Sequence, residues 1–339
     1  MFTVISVDWY HEKMKLVRRF ARDIEVEELA VCIPLEYKSA SLIYELSRYT
    51  SIYAAKLDEL STKPEAVEWL KERGVEVRRK REVIDAEYYL DCAAVLSRVA
   101  VKSGKKELKV VELTKTGEDY LKRIDVKMKA ISLDSSTLKG VGENVFGTPF
   151  GLLDALLRLN IFLPGKRVLV LGFGRVGRGC ARLLKAIGCS VTVWDSDEKR
   201  QIEAIYEGFR VERDFNADIV VTCTGVEGVV GESEIEKVPN GAILLNMGAE
   251  REIKTAGEQV KDYGMVRKYE FGGKEYFVIA EGYAANLALA SGTPIEVMDR
   301  TFSAAILALN YLHRNDFEGI IPLPDHIEST ILAAIMMQK

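Results

Sequence analysis

The sequence predicts an α/β protein in which a Rossmann domain, with a doubly wound parallel sheet, is inserted into a second α/β domain. Short apolar runs alternate with amphipathic stretches of helical length, and a glycine-rich turn, GFGRVG, follows one such run and opens a helix. At about 100 to 200 residues per domain, 339 residues suffice for two. We expect residues 1–147 plus about 296–339 to form one domain and residues 148–295 the Rossmann domain.

The amino-terminal half predicts βαβ units and a mostly parallel sheet, since strand and helix patterns alternate along it. Strands are expected at FTVISV, ELAVCIPL, SIYAAK, VEVRRK and LKVVEL, and helices at HEKMKLVRRFARDI, KSASLIYELSRY and KPEAVEWLKERG. The stretch from Asp134 to Pro149 collects Ser, Thr, Gly, Asn and Pro, which predicts a loop.

The second half predicts a helix at FGLLDALLRLNIF and then strands that are covered on both faces. These strand runs are short, apolar and β-branched, as buried parallel strands are; they stand within GKRVLVLG, SVTVWDSD, ADIVVTCTG and GAILLNMG. From Glu281 to about Leu312 the pattern is helical, and the last segment, ESTILAAIMM, is apolar.

Composition excludes several classes of function. Lys plus Arg number 47 against 51 Asp plus Glu, and the basic runs Arg78–Arg81 and Lys102–Lys129 contain or adjoin acidic residues, so we expect no nucleic-acid partner. Three histidines and five scattered cysteines lack zinc spacings or a CxxC, which predicts no metal site and a reduced, cytoplasmic setting. The start lacks a signal-peptide pattern, and no apolar run reaches about 18 residues, so we expect no membrane partner.

The glycine-rich turn has the spacing of a dinucleotide-binding fingerprint. Gly172 permits a tight turn, Gly174 lets the backbone approach a pyrophosphate, and Gly177 allows close packing of helix on strand. Arg175 and Val176 open the helix, whose free N–H groups favour an anion. The alternative, a glycine turn with a structural role alone, stays open at this point.

A carboxylate follows at the expected place. Asp195 ends the next strand about twenty residues downstream, where it can accept hydrogen bonds from both ribose hydroxyls. Since a carboxylate there repels a 2′-phosphate, the predicted cofactor is NAD and not NADP. Asp197 is interpreted as a helix cap.

From about Lys139 to Leu309 the chain resembles the S-adenosylhomocysteine hydrolase (adenosylhomocysteinase) family. The blocks that carry the resemblance are GENVFGTPFGLLDALLR, GKRVLVLGFGRVGRGCARLLKAIG, VTCTGVEGVVGESEIEKVPNGAILLNMGAEREI and AEGYAANLALASGTPIEVMDRTFSAAILALNYL. The resemblance implies a bound NAD that oxidises the ribose 3′ position of a nucleoside thioether, loss of the 5′ thiol, addition of water and return of the hydride.

The resemblance also implies roles for single residues. Lys139 falls on the family's catalytic lysine, Glu143 on its acidic partner and Asn144 on the following asparagine. A lysine beside a carboxylate can serve as the base for a hydroxyl. Positions that resemble NAD contacts are Thr114, Thr116, Thr222, Thr224, Asn246, Gly248 and Asn286, and Asp91 and Glu112 are candidate substrate residues.

Other positions depart from the family. Ala249 stands at a histidine position and Leu113 at a glutamate position, while Pro34, Glu36 and Lys38 stand where the family has histidine, threonine and glutamate. Polar recognition is hard to replace with apolar groups. The departures therefore predict an altered substrate.

Three functional hypotheses follow. The leading one is an NAD-dependent, hydrolase-like enzyme that acts on a nucleoside thioether or a related hydroxylated small molecule. The second is a catalytically silent NAD-binding sensor or partner subunit, and the third is an ordinary NAD-dependent dehydrogenase. The small and apolar residues of FSAAILALNYL and ILAAIMM predict a homo-oligomer.

Overall fold

The computed structural model describes residues 5–337. Its elements are numbered along the chain. The α-helices are α1 (Val7–Lys13), α2 (Lys15–Phe20), α3 (Tyr37–Ser47), α4 (Pro64–Glu72), α5 (Val95–Lys102), α6 (Lys115–Leu121), α7 (Thr148–Arg158), α8 (Arg175–Ala186), α9 (Glu198–Tyr206), α10 (Glu232–Ile235), α11 (Ala285–Ala288), α12 (Ile295–Arg314) and α13 (Asp325–Met336). Short 3₁₀ turns occupy Ala21–Asp23, Lys80–Glu82 and Ala280–Gly282, and a wide-turn π-helix spans Thr137–Gly147.

The strands follow the same numbering. They are β1 (Glu28–Cys32), β2 (Ser51–Ala55), β3 (Val77–Arg78), β4 (Tyr88–Asp91), β5 (Glu107–Glu112), β6 (Lys127–Ser132), β7 (Arg167–Leu171), β8 (Ser190–Trp194), β9 (Arg210–Val211), β10 (Ile219–Thr222), β11 (Ala242–Asn246), β12 (Glu258–Asp262), β13 (Val266–Phe271), β14 (Lys274–Ile279) and β15 (Gly319–Pro322). The chain divides into two compact units. The first unit holds the described residues up to Glu143 and from Ile295 onward, and the second holds Asn144–Pro294.

The first unit is built on a parallel sheet with strand order β15-β6-β5-β4-β1-β2-β3. Its strands are apolar because both faces are covered. In β1, Leu29 and Val31 join one core cluster, whereas Ala30 and Cys32 join the other. This alternation follows from the two-residue period of a strand and places a hydrophobic core on each side of the sheet.

Helix α2 of this unit is capped by a side chain that is distant in sequence. Met14 occupies the N-cap position and makes no side-chain cap. Asp299, on α12, instead accepts hydrogen bonds from the backbone N–H groups of Leu16 at 3.0 Å and Val17 at 2.8 Å. Burial raises the pKa of the Asp299 carboxyl to about 6. Helix α12 is thereby tied to α2.

The second unit has a sheet of strand order β12-β13-β14-β11-β10-β7-β8-β9. The six strands from β14 to β9 pair in parallel, while β12, β13 and β14 form an antiparallel meander at one edge. Counted along the chain from β7 and without the meander's first two strands, the parallel order is the 3-2-1-4-5-6 order of a Rossmann sheet. The predicted α/β class and Rossmann-type sheet are confirmed.

The first helix of the second unit packs against the end of the same unit. A Cβ on Gly151 of α7 would lie 2.8 Å from the Asn286 Cβ and 3.0 Å from the Gly292 carbonyl oxygen. Only glycine fits that contact, so the chain enters and leaves this unit at neighbouring places.

Two sequence predictions about elements are wrong. Val7 was expected in a strand, FTVISV, but it begins α1, where Val7 and Tyr10 are buried one helical turn apart; residues 2–4 lie outside the described residues. The loop expected from Asp134 to Pro149 is largely the π-helix. Its first N–H groups are satisfied because Leu138 donates to Glu328 at 3.0 Å and Lys139 to the Ser136 hydroxyl at 3.1 Å. Tertiary capping thus overrides a loop-like composition.

The sequence patterns also missed several elements. These are β4, α5, α6, β6, β15 and the antiparallel meander. Helix α6 stands inside the lysine-rich stretch interpreted as a solvated face, and strand β6 begins in it. The charged residues of these two elements interrupt the periodic spacing of apolar residues by which helices and strands are predicted.

Candidate cofactor and catalytic sites

Two carboxylates lie side by side at the carboxyl edge of the first unit's sheet. Asp91 ends β4 and Glu112 ends β5, and the two residues are paired in register. Asp91 accepts hydrogen bonds from the N–H groups of Cys92, Leu96 and Ser97 at 2.9 to 3.1 Å. Its carboxylate therefore anchors the start of α5.

Glu112 supports the same turn. Its carboxylate accepts from the N–H groups of Ala93 and Ala94, both at 3.0 Å, and from the Thr114 hydroxyl at 2.6 Å. Ala93 and Ala94 have φ values of 54° and 52°, a left-handed conformation that needs such support. Burial, and the neighbouring Asp91 charge, raise the pKa of Glu112 to about 8.

The contacts of the candidate residues Asp91, Glu112, Thr114 and Thr116 show what these side chains do in the fold. Asp91 and Glu112 direct their oxygens at their own backbone. Thr114 caps α6 by accepting the Gly117 N–H at 3.1 Å, and Thr116 is half-buried in the first turn of that helix. Both threonines belong to the first unit, whereas the glycine-rich turn belongs to the second.

Lys139 and Glu143 form a buried ion pair on the π-helix. They are four residues apart, their side chains are 11% and 9% exposed, and the Lys139 Nζ bonds Glu143 Oε1 directly. Glu143 Oε2 is buried and has no hydrogen-bond partner among the described residues. Since a buried carboxylate oxygen needs a donor, Oε2 is an atom that a ligand hydroxyl could satisfy.

The pair lies close to the carboxyl edge of the sheet. Burial raises the pKa of the Cys92 thiol, next to Asp91, and the Lys139 charge acts on that thiol in the opposite direction. Asn144 follows Glu143 in sequence, is half-buried and belongs to the second unit. The structure therefore brings together the predicted Lys139 and Glu143.

The glycine-rich turn of the second unit has the strain that its sequence predicts. Gly172 follows β7 with φ +91°, and a Cβ there would lie 2.6 Å from the Cys223 carbonyl oxygen. A Cβ on Gly177 would lie 1.9 Å from the Gly172 carbonyl oxygen. Neither position tolerates a side chain. The turn leads into α8, which Arg175 and Val176 begin.

Asp195 is held against this turn. The residue directly follows β8 and is buried. Its Oδ2 accepts the Phe173 N–H at 2.6 Å and its Oδ1 the Asp197 N–H at 2.9 Å, while Arg200 approaches Oδ2 at 3.5 Å. Asp197 caps α9 through the Lys199 N–H, as predicted from the sequence.

Polar residues end the neighbouring strands β10 and β11. Thr222 and Asn246 are in register, and the Thr222 hydroxyl lies 3.1 Å from Asn246 Oδ1, which also accepts the Gly248 N–H at 2.7 Å. Asn286, on α11, is 7% exposed and its Oδ1 has no partner among the described residues. Asn286 therefore has an acceptor available for a ligand amide or hydroxyl.

A buried glutamate that the sequence reasoning missed holds the strand-end loop. Glu252 is fully buried, and its carboxylate accepts the N–H groups of Thr224 at 2.9 Å and Gly225 at 2.7 Å and the Thr224 hydroxyl at 2.7 Å. Burial raises the pKa of this carboxyl. Arg200 was missed as well. The sequence feature that could have identified Arg200 is a basic residue in the helix that follows a strand-end carboxylate.

Comparisons with known proteins agree with this geometry. The family model described as "S-adenosyl-L-homocysteine hydrolase, NAD binding domain" matches residues 144–292. An S-inosyl-L-homocysteine hydrolase of Methanopyrus kandleri is 30% identical across 96% of this chain and 88% of its own. The chain belongs to the S-adenosyl-L-homocysteine hydrolase family. The predicted family is confirmed.

Other members of the hydrolase family are similar at the same level. An adenosylhomocysteinase of Archaeoglobus fulgidus is 28% identical over 91% of this chain and 87% of its own. An S-inosyl-L-homocysteine hydrolase of Methanocaldococcus jannaschii is 34% identical over 60% of this chain and 53% of its own. These similarities support a hydrolase-like function.

NAD is the cofactor of the family's matching domain, and the predicted cofactor is confirmed. The residues present fit it, because a Cβ on Gly174 would lie 3.6 Å or more from its nearest neighbour, which leaves room beside the backbone, and Asn286 Oδ1 has no partner among the described residues. Ala249, at the family's histidine position, is exposed beside Gly248. Within residues 5–337, no group of three or more His, Cys, Asp or Glu side chains is placed to hold a metal ion. Nor is any described helix long and apolar enough to cross a membrane.

Proposed function

We propose that this chain cleaves the thioether of a nucleosyl homocysteine through reversible oxidation of the ribose. The observation that carries the proposal is the buried Lys139–Glu143 pair with one carboxylate oxygen left for a ligand. Full-length relatives named as hydrolases of S-inosyl-L-homocysteine and S-adenosyl-L-homocysteine support it. In this proposal the first unit binds the substrate and the second binds NAD.

The side chains of the pair have separate tasks in the reaction. Bound NAD supplies an acceptor for the hydride of the 3′ carbon and later returns it. Lys139 Nζ first passes one proton to Glu143 Oε1, which holds that nitrogen in place, and the neutral amine then takes the 3′-hydroxyl proton. Glu143 Oε2 accepts a hydrogen bond from a neighbouring ribose hydroxyl. The 3′ ketone acidifies the 4′ proton, which leaves together with the 5′ thiol as a C4′–C5′ double bond forms, and water then adds across that double bond.

A second buried pair favours an altered base specificity. Glu36 and Lys38 begin α3, just after β1, and their carboxylate and ammonium lie 2.7 Å apart at 8% and 2% exposure. An ammonium can only donate hydrogen bonds. It complements the 6-oxo group of hypoxanthine, which accepts. The Glu36 carboxylate, which could accept from the 6-amino group of adenine, already accepts from the Lys38 N–H at 3.1 Å and the Lys38 ammonium at 2.7 Å. The proposed preference is therefore for S-inosyl-L-homocysteine.

A thiol-release assay tests the reaction. Protein loaded with NAD is incubated with S-inosyl-L-homocysteine or S-adenosyl-L-homocysteine, and free homocysteine is measured with a thiol reagent. We expect release, faster from the inosyl compound, and loss of release in Lys139→Met. Lys127→Met is the matched control, because Lys127 is exposed at the amino end of β6.

Two outcomes would favour the other hypotheses. NAD binding without thiol release from either compound would indicate a silent sensor. Accumulation of one NADH per substrate consumed would indicate an ordinary dehydrogenase. Faster release from the adenosyl compound would contradict the role given to Lys38 while leaving the thioether reaction in place.

We also propose that the chain forms a homo-oligomer through α13. Most of FSAAILALNYL is buried in the core of the first unit, which removes it as an interface. On α13, Leu332 and Met336 are 58% and 65% exposed. Sedimentation should show an oligomer that Leu332→Glu dissociates. A wild-type monomer at all concentrations would contradict the proposal.

A further inference from the structure

Two cysteines of the second unit have their thiols in contact. Cys223 directly follows β10, and Cys180 lies in α8, the helix that the glycine-rich turn begins. Both are free thiols, and a hydrogen bond joins them. Cys180 is buried, whereas Cys223 is partly exposed. The pair therefore links the end of a central strand to a helix of the cofactor site.

The pair lies against the glycine-rich turn. The Cys223 N–H donates to the Leu171 carbonyl at 2.7 Å, and the Cys223 carbonyl oxygen is 2.6 Å from the point where a Cβ of Gly172 would stand. The Cys223 Cβ is 3.3 Å from the corresponding point of Gly177. Cys180 follows Gly177 by one helical turn, so it lies on the same face of α8. The two side chains meet at that face.

The other cysteines have different surroundings. The thiols of Cys32 and Cys189 donate to backbone carbonyl oxygens at 3.6 and 3.3 Å. Cys92 is partly exposed and belongs to the first unit. Cys180 and Cys223 instead have each other as partners, and two thiols in contact are the arrangement that a disulfide bond requires.

We propose that Cys180 and Cys223 are a redox-active pair, which a low-molecular-weight disulfide converts to a protein disulfide that weakens NAD binding. The Cys223 thiolate attacks the small disulfide, forms a mixed disulfide and releases one thiolate. The Cys180 thiolate then attacks Cys223 Sγ and releases the second. The protein loses two electrons and two protons, and the small disulfide gains them to become two thiols.

Closing the bond requires movement at the cofactor site. An S–S bond is about 2.0 Å long, which is shorter than any contact between unbonded sulfur atoms. The bond draws Cys223 toward α8, but the Cys223 main chain is already packed against Gly172 and its Cβ against Gly177. Close-packed groups cannot approach further without a shift of their neighbours. The glycine-rich turn therefore shifts, and it is the part of the site that approaches the pyrophosphate.

The exchange reaction is expected to be slow. The hydrogen bond to Cys180, together with burial, raises the pKa of the Cys223 thiol well above its ordinary value. Since only the thiolate attacks a disulfide, little of the reactive form is present at neutral pH. The position of the equilibrium is therefore the quantity to measure, and not the rate.

Equilibration in glutathione buffers tests the modification and its effect. The full chain, freed of nucleotide, is equilibrated at a series of ratios of reduced to oxidised glutathione. Free thiols are then blocked, and the peptides are mapped by mass spectrometry. We expect a peptide pair joined through Cys180 and Cys223 in the oxidising buffers. In calorimetry, this form should bind NAD about tenfold or more less tightly than the reduced form.

Thermodynamic linkage gives a second measurement. If the disulfide weakens NAD binding by a given factor, saturating NAD must shift the equilibrium toward the dithiol by the same factor. The mapping is therefore repeated with NAD present. We expect the disulfide to require a more oxidising glutathione ratio in the presence of NAD.

Variants assign the effect to the pair. For Cys180→Ser and for Cys223→Ser, the NAD affinities in reducing and oxidising buffer should agree within about threefold. Cys180→Ala and Cys223→Ala supply the same comparison if a serine variant does not fold. Cys189→Ala is the matched control, because it removes a buried thiol of the same unit that donates to a backbone carbonyl. It should lose NAD affinity on oxidation as the wild type does.

Three results would overturn the proposal. One is the absence of a Cys180–Cys223 bond at every glutathione ratio, including the case in which only mixed disulfides form. Another is a disulfide form whose NAD affinity stays within about threefold of that of the reduced form. The third is an equal loss of affinity in the serine variants, which would assign the effect to another thiol, such as Cys92. None of these measurements involves turnover, so they are independent of the thioether reaction.

Discussion

Breaking the Lys139–Glu143 pair should destabilise the first unit strongly. Both side chains are about nine-tenths buried and bond directly, so solvent screens the pair little. Lys139→Met would leave both carboxylate oxygens of Glu143 buried without a partner, because Oε2 already lacks one among the described residues. Removal of one partner of a buried pair costs about 3 to 5 kcal/mol of unfolding free energy. Glu143→Leu should cost a similar amount.

Replacing both partners should behave differently. A well-packed apolar pair of similar volume is about as stable as a buried ion pair, so Lys139→Met with Glu143→Leu should cost about 1 kcal/mol or less. The double-mutant cycle then gives a coupling energy of several kcal/mol. Homocysteine release should nevertheless fall by about 100-fold or more in Lys139→Met and in the double variant, because the proton-transferring group is gone. A stable but inactive double variant would separate the chemical role from the structural one.

The assay uses the natural fluorescence of the first unit. Trp9 and Trp69 belong to it and Trp194 to the second unit, so a Trp194→Phe background reports unfolding of the first unit in denaturant. A single-variant cost below about 1 kcal/mol would refute the reasoning, because it would show an exposed pair in solution. So would a double variant whose loss equals the sum of the two singles.

Three further changes have definite expected results. Asp299 has a folded pKa of about 6 against 3.8 for an ordinary aspartate, so its contribution to stability is complete below about pH 4 and is lost as pH rises through 6. In denaturant titrations, the free energy of unfolding of the wild type should fall by up to about 3 kcal/mol between pH 4 and 7, relative to that of Asp299→Asn. Gly177→Ala should weaken NAD binding by about tenfold or more in calorimetry, because its Cβ would overlap the Gly172 carbonyl. Glu252→Gln should lower the stability of the second unit by about 1 to 3 kcal/mol. The two carboxylate oxygens of Glu252 accept from three donors, and in glutamine one of these oxygens is replaced by an amide nitrogen, which cannot accept.

Each of these has a control. A pH-independent difference between the wild type and Asp299→Asn would contradict the assigned effect of burial. Gly231→Ala is the comparison for Gly177→Ala, because the nearest atom to its Cβ is 3.8 Å away; equal losses in both would show that close packing at Gly177 is not the cause. For Glu252, an unchanged free energy of unfolding of the second unit in Glu252→Gln would contradict the stabilising role assigned to that carboxylate.

The sequence predicted the parts of the fold that obey a simple period. The apolar strands β1, β7, β10 and β11 and the glycine-rich turn were found because buried parallel strands are nearly continuous in apolar residues. Helix α1 and the π-helix were not found. The first is short and begins within the apolar run FTVISV, and the second depends on Ser136 and Glu328, whose placement only the tertiary structure gives.

The candidate site was predictable to a similar extent. Lys139, Glu143 and Asp195 came from motif spacing. The hydrogen bonds of Asp91 and Glu112 to nearby backbone N–H groups could not be predicted from motif spacing. A strand-end carboxylate has the same sequence pattern whether it faces a ligand or a turn. Glu252 and Arg200 show the converse: their positions become meaningful only when β10, β11 and α9 are assembled.

The close contact of Gly151 with Gly292 has a consequence for the history of the gene. Because the coding segment for residues 144–294 begins and ends at neighbouring points of its own product, it can be gained, lost or exchanged as a single block. A recombinant that carries this block from a distant relative should therefore still fold, with the glycine at position 151 retained.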